Sequence, residues 1–158
     1  YGKGNIGFGQ GCTAANYRYH FAIWCMLSSP LMLGCDIRNI DEETKKLITN
    51  PTLISICRDE DARPPIIVGD NRGQKENFSL FKHLADGTYA IGFFNAYDAD
   101  KDVMMPYSDI GLDPLCGYGF DATDAFTGEH LGIFKDFIDM HVEAGGCRVV
   151  TAKLVKVK

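Results

Sequence analysis

Apolar residues recur at helical spacing near the start of the chain. Tyr17, Phe21, Trp24 or Cys25, and Leu27 fall on the three-to-four-residue steps of a helix that begins at Thr13 and runs to about Ser28. Pro30 ends it, because the residue before a proline is driven out of the helical region. From Phe21 to Leu27 the residues are apolar nearly all round, which predicts burial on several sides and gives Trp24 a core role. Residues 31–34, Leu-Met-Leu-Gly, are too few for a helix and lack polar alternation. They predict a strand buried on both faces, as in a parallel sheet covered by helices. Asp41 then starts a second helix, its acidic residues Asp41, Glu42 and Glu43 preceding Lys45 and Lys46 in the order that complements the helix dipole. Asn50-Pro51 stops that helix, and Pro51 opens a further short one through Leu53, Ile54 and Ile56.

The charged, proline-ended stretch at residues 58–65 reads as a linker, and beyond it the period changes. Phe-Ser-Leu-Phe-Lys-His-Leu from Phe78, Thr-Tyr-Ala-Ile-Gly-Phe-Phe from Thr88 and Val-Val-Thr-Ala-Lys-Leu-Val from Val149 are rich in β-branched and aromatic residues with partial alternation. Turn signals separate such runs at Asp86-Gly87, at residues 98–102, at Thr127-Gly128 and at Gly145-Gly146. Short strands at these intervals predict an antiparallel β-sandwich. The expected organisation is therefore a helix-strand-helix segment over residues 1–57, a linker at 58–65 and a sandwich over 66–158. A single parallel-type strand cannot make a sheet, so the first segment is expected to be the end of a larger α/β domain. Left alone, it would expose apolar surface, with aggregation, self-association into a homo-oligomer or disorder as the expected consequence.

Composition changes this picture little. Of 158 residues, 46% are hydrophobic and 23% charged, with a net charge of −5, as in an ordinary soluble domain. There is no basic stripe to engage nucleic acid and no apolar run of the ~18 residues a membrane span needs. The six cysteines are far apart and form no C-x-x-C pair, which gives zinc little support. Cys25, Cys35 and Cys147 sit among apolar or small residues and read as reduced core thiols, suited to a reducing compartment.

Several motifs invite chemistry. Gly2, Gly4 and Gly7 spell G-x-G-x-x-G, but a dinucleotide site needs a strand before the motif and a helix directly after it, and neither is predicted. Asp98, Asp100 and Asp102 imitate a calcium loop, yet Val103 stands where glycine is required, so a hairpin turn is expected. His20, His83, His130 and His141 lack ligand spacing. Asn77-Phe78-Ser79 is a glycosylation sequon in form. No metal or cofactor is expected.

The stretch His20-Phe21-Ala22-Ile23-Trp24, then residues 30–38, Pro-Leu-Met-Leu-Gly-Cys-Asp-Ile-Arg, then Glu43-Thr44 resembles the closing barrel segment of the α-galactosidases (melibiases) of glycoside hydrolase family 27. The opening Tyr-Gly-Lys-Gly-Asn, the altered stretch at residues 50–59, the hairpin beginning at Tyr89 and residues 121–132 extend the resemblance over nearly the whole chain. At Ala125-Phe126 the family pattern has Leu-Trp. The resemblance implies a fold of α/β plus all-β class: the tail end of a (β/α)8 barrel followed by an antiparallel β-sandwich. It also implies retaining hydrolysis of terminal α-galactosides, which needs two carboxyl groups ~5 Å apart. The family's catalytic carboxylates stand on barrel strands that would precede Tyr1, so no catalytic residue is assigned, and these 158 residues alone are expected to be inactive. Galactoside substrate would be reached through that barrel. Tyr1 and Lys3 in the glycine-rich loop, and Asp36 after the predicted strand, are candidates for its substrate side; a structural carboxylate paired with Arg38, Arg18 or loop backbone is the favoured reading of Asp36. The likeness to bacterial members and the reduced thiols point to the cytoplasm, with export left open by a chain that starts at Tyr1. Two other readings stand beside this one. The first is a non-catalytic carbohydrate-binding sandwich using Tyr89, Tyr97, Tyr107 or Tyr118. The second is a family 27 enzyme for another sugar, such as an α-N-acetylgalactosaminide.

Overall fold

The computed structural model describes residues 12–34, 36–69 and 76–157. Three helices come first, α1 (Ala14–Met26), α2 (Glu42–Ile48) and α3 (Pro51–Cys57). Eight strands follow: β1 (Ile66–Val68), β2 (Asn77–His83), β3 (Tyr89–Asn95), β4 (Lys101–Pro106), β5 (Tyr118–Asp124), β6 (His130–Phe134), β7 (Phe137–Val142) and β8 (Cys147–Lys156). Six of them form one antiparallel sheet in the order β1-β2-β3-β8-β5-β6, and β4 pairs with β7 in a second. This is the expected antiparallel β-sandwich, and the predicted turns at Asp86-Gly87, Thr127-Gly128 and Gly145-Gly146 each join two strands.

Each helix starts where its capping residue can act. The Thr13 hydroxyl accepts from Asn16 N–H while the Asn16 side chain accepts from Thr13 N–H, a reciprocal cap. Asp41 accepts from Thr44 N–H at 2.6 Å and Asn50 from Leu53 N–H at 2.9 Å. Two of these residues also tie the helices to the sandwich. The Asn16 amide donates to Gly145 O at 2.9 Å, and the Asn50 amide to Ala125 O at 3.0 Å. Gly145 has a φ of +62°, and a Cβ there would stand 2.4 Å from Asn16 Nδ2, so glycine is required by both conformation and space.

The six-stranded sheet is the middle of three layers. One set of its side chains, including Phe81, Ile91, Phe93, Phe120, Val150 and Ala152, packs against Val103, Met105, Ile138, Met140 and Val142 of the β4–β7 ribbon. The opposite set, including Leu80, Ala90, Phe94, Cys147 and Val149, packs against Phe21, Ala22, Cys25, Met26, Leu53 and Ile56 of the helices. The helical segment thus has a core partner inside this chain. The expected loss of order over residues 1–57 is not what holds for its described helices, whose apolar exposure is confined to one side.

Two expectations are overturned. Residues 31–34 form no strand. They run as exposed chain without regular structure, with Met32 at 89% exposure, and pair with no described strand. A strand exists only through a neighbour's ladder, and the strands of this chain pair among themselves. Trp24 is not a core residue: it is 42% exposed. α1 turns Phe21, Cys25 and Met26 to the sheet, which leaves position 24 on the far side although its neighbours in sequence are apolar.

Tyr107 closes the other end of the sandwich. Its hydroxyl donates to Phe134 O at 2.5 Å and accepts from the buried Phe120 N–H at 3.1 Å. Tyr107→Phe leaves that N–H without its partner, and equilibrium urea unfolding is expected to show a loss of about 1–3 kcal/mol. Phe93→Ala, which empties the fully buried centre of the sandwich core, is expected to cost about 3–5 kcal/mol in the same measurement.

Candidate functional site

The surface beyond α1 is the most unusual part of the molecule. α1 ends in a Schellman arrangement: Ser29 N–H donates to Trp24 O and Ser28 N–H to Cys25 O, both at 3.1 Å. Glycine is the usual residue at the left-handed position of this motif, but Ser28 occupies it with a φ of +51°. The Lys82 ammonium accounts for the serine. Fully buried on β2, Lys82 donates to Met26 O at 3.3 Å and to the Ser28 hydroxyl. It satisfies a helix-end carbonyl and fixes the strained residue together. Burial pushes its pKa down, and the nearby Asp59 carboxylate opposes the shift.

From this cap the chain runs out along α1. His20, Phe21, Trp24, Pro30, Leu31 and Leu33 line a shallow cavity of about 270 Å³ with Met32. The Trp24 indole N–H donates to His20 Nε2, and the two rings meet edge to face with centroids 5.9 Å apart. Burial lowers the His20 pKa. Trp24, Leu27, Leu31, Met32, Leu33 and Ile37 are all exposed, a run of apolar surface that a monomer rarely presents.

Asp36 follows at the edge of this shelf and caps a single turn, Ile37–Asn39. Its carboxylate accepts from Arg38 Nε and Arg38 NH2, each at 2.8 Å, and from Arg38 N–H at 3.1 Å. The guanidinium holds its pKa below the usual carboxylate range. Fork-to-fork pairing of this kind orients an ionised carboxylate; it does not supply a proton. Tyr1, Lys3, the glycine motif and Cys35 lie outside the described residues, so of the three candidate residues Asp36 alone can be placed.

Elsewhere, Asp98, Asp100 and Asp102 lie in and just after the β3–β4 connection. Asp100 accepts from Ala144 N–H at 2.9 Å, and Asp102 binds His141 Nδ1 at 2.9 Å. No group of three or more His, Cys, Asp or Glu among the described residues is arranged to hold a metal ion. No described helix is long and apolar enough to cross a membrane. Of the tyrosines considered for sugar stacking, Tyr107 is buried, Tyr89 and Tyr97 are half-buried and Tyr118 is exposed. Sequence reasoning passed over Lys82 and Asn95. A lysine inside an apolar strand run, and an asparagine directly after Phe93-Phe94, were the available signals. Asn95 is fully buried, and its amide donates to Ala99 O at 2.9 Å and to Val142 O and Glu143 O at 3.1 Å.

The comparisons with known proteins agree with this architecture. Residues 79–152 match the alpha galactosidase C-terminal beta sandwich domain. An alpha-galactosidase from Cyamopsis tetragonoloba is 28% identical over 140 residues, covering 88% of this chain and 33% of that protein. One from Coffea arabica is 42% identical over 106 residues, covering 65% of this chain and 26% of that protein. The crystal structure of alpha-galactosidase I from Mortierella vinacea superposes with a TM-score of 0.80 at 28% identity, covering 93% of this chain and 37% of that one. Residues 79–152 match that sandwich domain, and over most of its length the chain resembles the C-terminal part of the α-galactosidases of glycoside hydrolase family 27. It spans about a third of the length of the curated relatives it matches.

His141 offers a titration that reads out the β4–β7 ribbon. Hydrogen bonding to Asp102, and further to Asp100, raises its pKa above the ordinary 6.5. A raised folded-state value means that the pairing stabilises the fold below the ordinary value and is lost as pH rises through the raised one. An NMR titration of the imidazole is expected to give a midpoint above 6.5, returning toward 6.5 in Asp102→Asn.

Proposed function

We propose that this chain is the C-terminal part of a retaining glycosidase that releases terminal α-linked galactose from oligosaccharides. In this reading residues 1–57 complete the catalytic barrel, 58–65 link it to the sandwich, and 66–158 brace the barrel through α1 and α3. The attacking and proton-donating carboxyl groups stand on barrel strands outside these 158 residues. The observation that carries the reading is the apolar shelf. Trp24, Leu27, Leu31, Met32, Leu33 and Ile37 are exposed together, on the side of α1 turned away from the sandwich, in a chain a third as long as its relatives. Burying such surface is worth ~25 cal/mol per Å2, so a covering partner is strongly favoured, and the rest of a barrel is the partner the relatives' length supplies. Asp36, held ionised by Arg38, would then stand where the exposed segment at residues 31–34 meets the barrel, as a positioning or structural group near substrate, with Tyr1 and Lys3 on the adjoining loop. The five described cysteines are all free, which supports a cytoplasmic location for the enzyme. A free-standing sugar-binding module is the weaker reading, since few of the candidate aromatic faces are open.

Two measurements test this. The purified 158 residues are expected to give no turnover of an aryl α-galactoside and no heat on galactose titration. Turnover would refute the placement of the carboxylates, and saturable galactose binding would favour the module. Second, the shelf should make the chain self-associate. Sedimentation is expected to show oligomers that weaken when Trp24 and Met32 are both changed to Ser, while the unfolding midpoint stays nearly unchanged. A monomeric wild-type chain at tens of micromolar would count against an uncovered barrel face.

A further inference from the structure

The segment that carries the shelf and Asp36 is held at its two ends. From Pro30 to Asn39 every described residue is exposed, and the hydrogen bonds of Asp36 stay within its own turn. At the start, Lys82 of β2 fixes the end of α1. At the other end stands α2, of which only Thr44 and Leu47 are buried. A cavity of about 370 Å³ takes residues of both α1 and α2 into its wall, Tyr17 and Leu47 among them, so packing between the two helices is incomplete there. Arg18 lines the same cavity and bonds in two directions. Its NH1 donates to Glu43 Oε1, in the first turn of α2, at 3.2 Å, and its NH2 to Glu143 Oε1, directly after β7. Glu143 is itself fixed: its carbonyl accepts from the amide of the fully buried Asn95 at 3.1 Å and from Gly146 N–H at 3.0 Å. α1 keeps a separate tie to the same turn through the Asn16 amide and Gly145 O.

We propose that Arg18 is a positioning residue that carries the placement of the β7–β8 turn across to α2, and thereby holds the Asp36 turn where the proposed function, on which this role rests, sets it near substrate. A guanidinium stays charged and presents its N–H groups in a rigid planar fork, so one side chain bonds two carboxylates at a set separation. The Arg18 side chain is 29% exposed, which leaves its pairs less screened than those of a fully exposed cation. Without it, Glu43 and Glu143 are two like charges facing the same space, and α2 is pushed from the sandwich turn instead of being drawn to it. The consequence reaches Asp36 along the chain. Ile40 alone separates the Ile37–Asn39 turn from Asp41, the cap of α2, so a displacement of the first turn of α2 is passed straight to the turn that Asp36 caps. Lys82 and Arg18 thus anchor opposite ends of one exposed segment to the sandwich.

Hydrogen–deuterium exchange of the 158-residue chain, read by mass on its peptides, tests this. Arg18→Gln is expected to make the amides of residues 38–48 exchange about threefold to tenfold faster, while those of β3 and β8 keep their rates. Glu143 bonds to α2 only through Arg18, yet Glu143→Gln should speed up the same amides. Added to Arg18→Gln it should cause no further loss, because the two residues act as one unit and one of the repelling charges is gone. Arg18→Lys should fall between wild type and Arg18→Gln, since an ammonium lacks the fork. Unchanged exchange over residues 38–48 in Glu143→Gln, or losses from the two substitutions that simply add, would overturn the proposal. So would equal acceleration in β3 and β8, which marks a general loss of stability. The pattern reads Arg18 alone: turnover or galactose binding by the chain, which counts against the proposed function, leaves it in place.

Discussion

A strand can be apolar at nearly every position only if both faces of its sheet are covered, and β3 sets that condition for the whole molecule. Ala90, Ile91, Gly92, Phe93, Phe94 and Asn95 are all buried. Phe93 and Ile91 require the β4–β7 ribbon on one side, and Phe94 and Ala90 require α1 on the other. Gly92 fits the same demand, since a Cβ there would come within 2.6 Å of the Phe94 ring and 3.6 Å of Met26. The helices are therefore part of the sandwich's own core. Removing them would expose Leu80, Phe94 and Val149 to water as surely as removing the ribbon would expose Ile91 and Phe93.

That double burial explains what could and could not be read from the sequence. Turns and helix starts were legible because they depend on neighbours in the chain: Thr13, Asp41 and Pro51 open helices wherever those helices pack. Strand existence was legible from β-branched and aromatic runs. Which face met which layer was not, because a strand buried on both sides carries no alternation. Lys82 is the sharpest case. In a run such as Ser79-Leu80-Phe81-Lys82 a lysine suggests a solvated face, yet its ammonium ends on Met26 O and Ser28, a partnership decided by tertiary packing alone.

The misreadings at Trp24 and residues 31–34 have a common physical origin. Both were read as buried because they are apolar, and apolarity alone does not fix burial, since much of a folded protein's surface is apolar. The helix face that meets the sheet is already filled by Phe21, Cys25 and Met26, so Trp24 falls on the opposite face. The segment at residues 31–34 finds no ladder among strands that already pair with one another. Met32 stays 89% exposed. Of the candidate site, only the Asp36–Arg38 pairing was legible, because it is local: two residues of opposite charge two positions apart around one turn.

The end of α1 is where these constraints meet. A helix that delivers Phe21 and Met26 to the sheet must stop at once if the chain is to leave along the far side, and Ser28 in a left-handed conformation makes that stop at a cost of about 1–2 kcal/mol for a residue with a Cβ. The Lys82 ammonium offsets the strain by bonding the serine hydroxyl and a terminal carbonyl, and Asp59, which accepts from Ala85 N–H at 2.7 Å, keeps favourable charge near that ammonium. Because Lys82 is on β2, the point at which α1 ends is fixed to the sheet, and the direction in which the shelf departs is fixed with it. The sandwich thus sets the position and orientation of the surface that faces away from it.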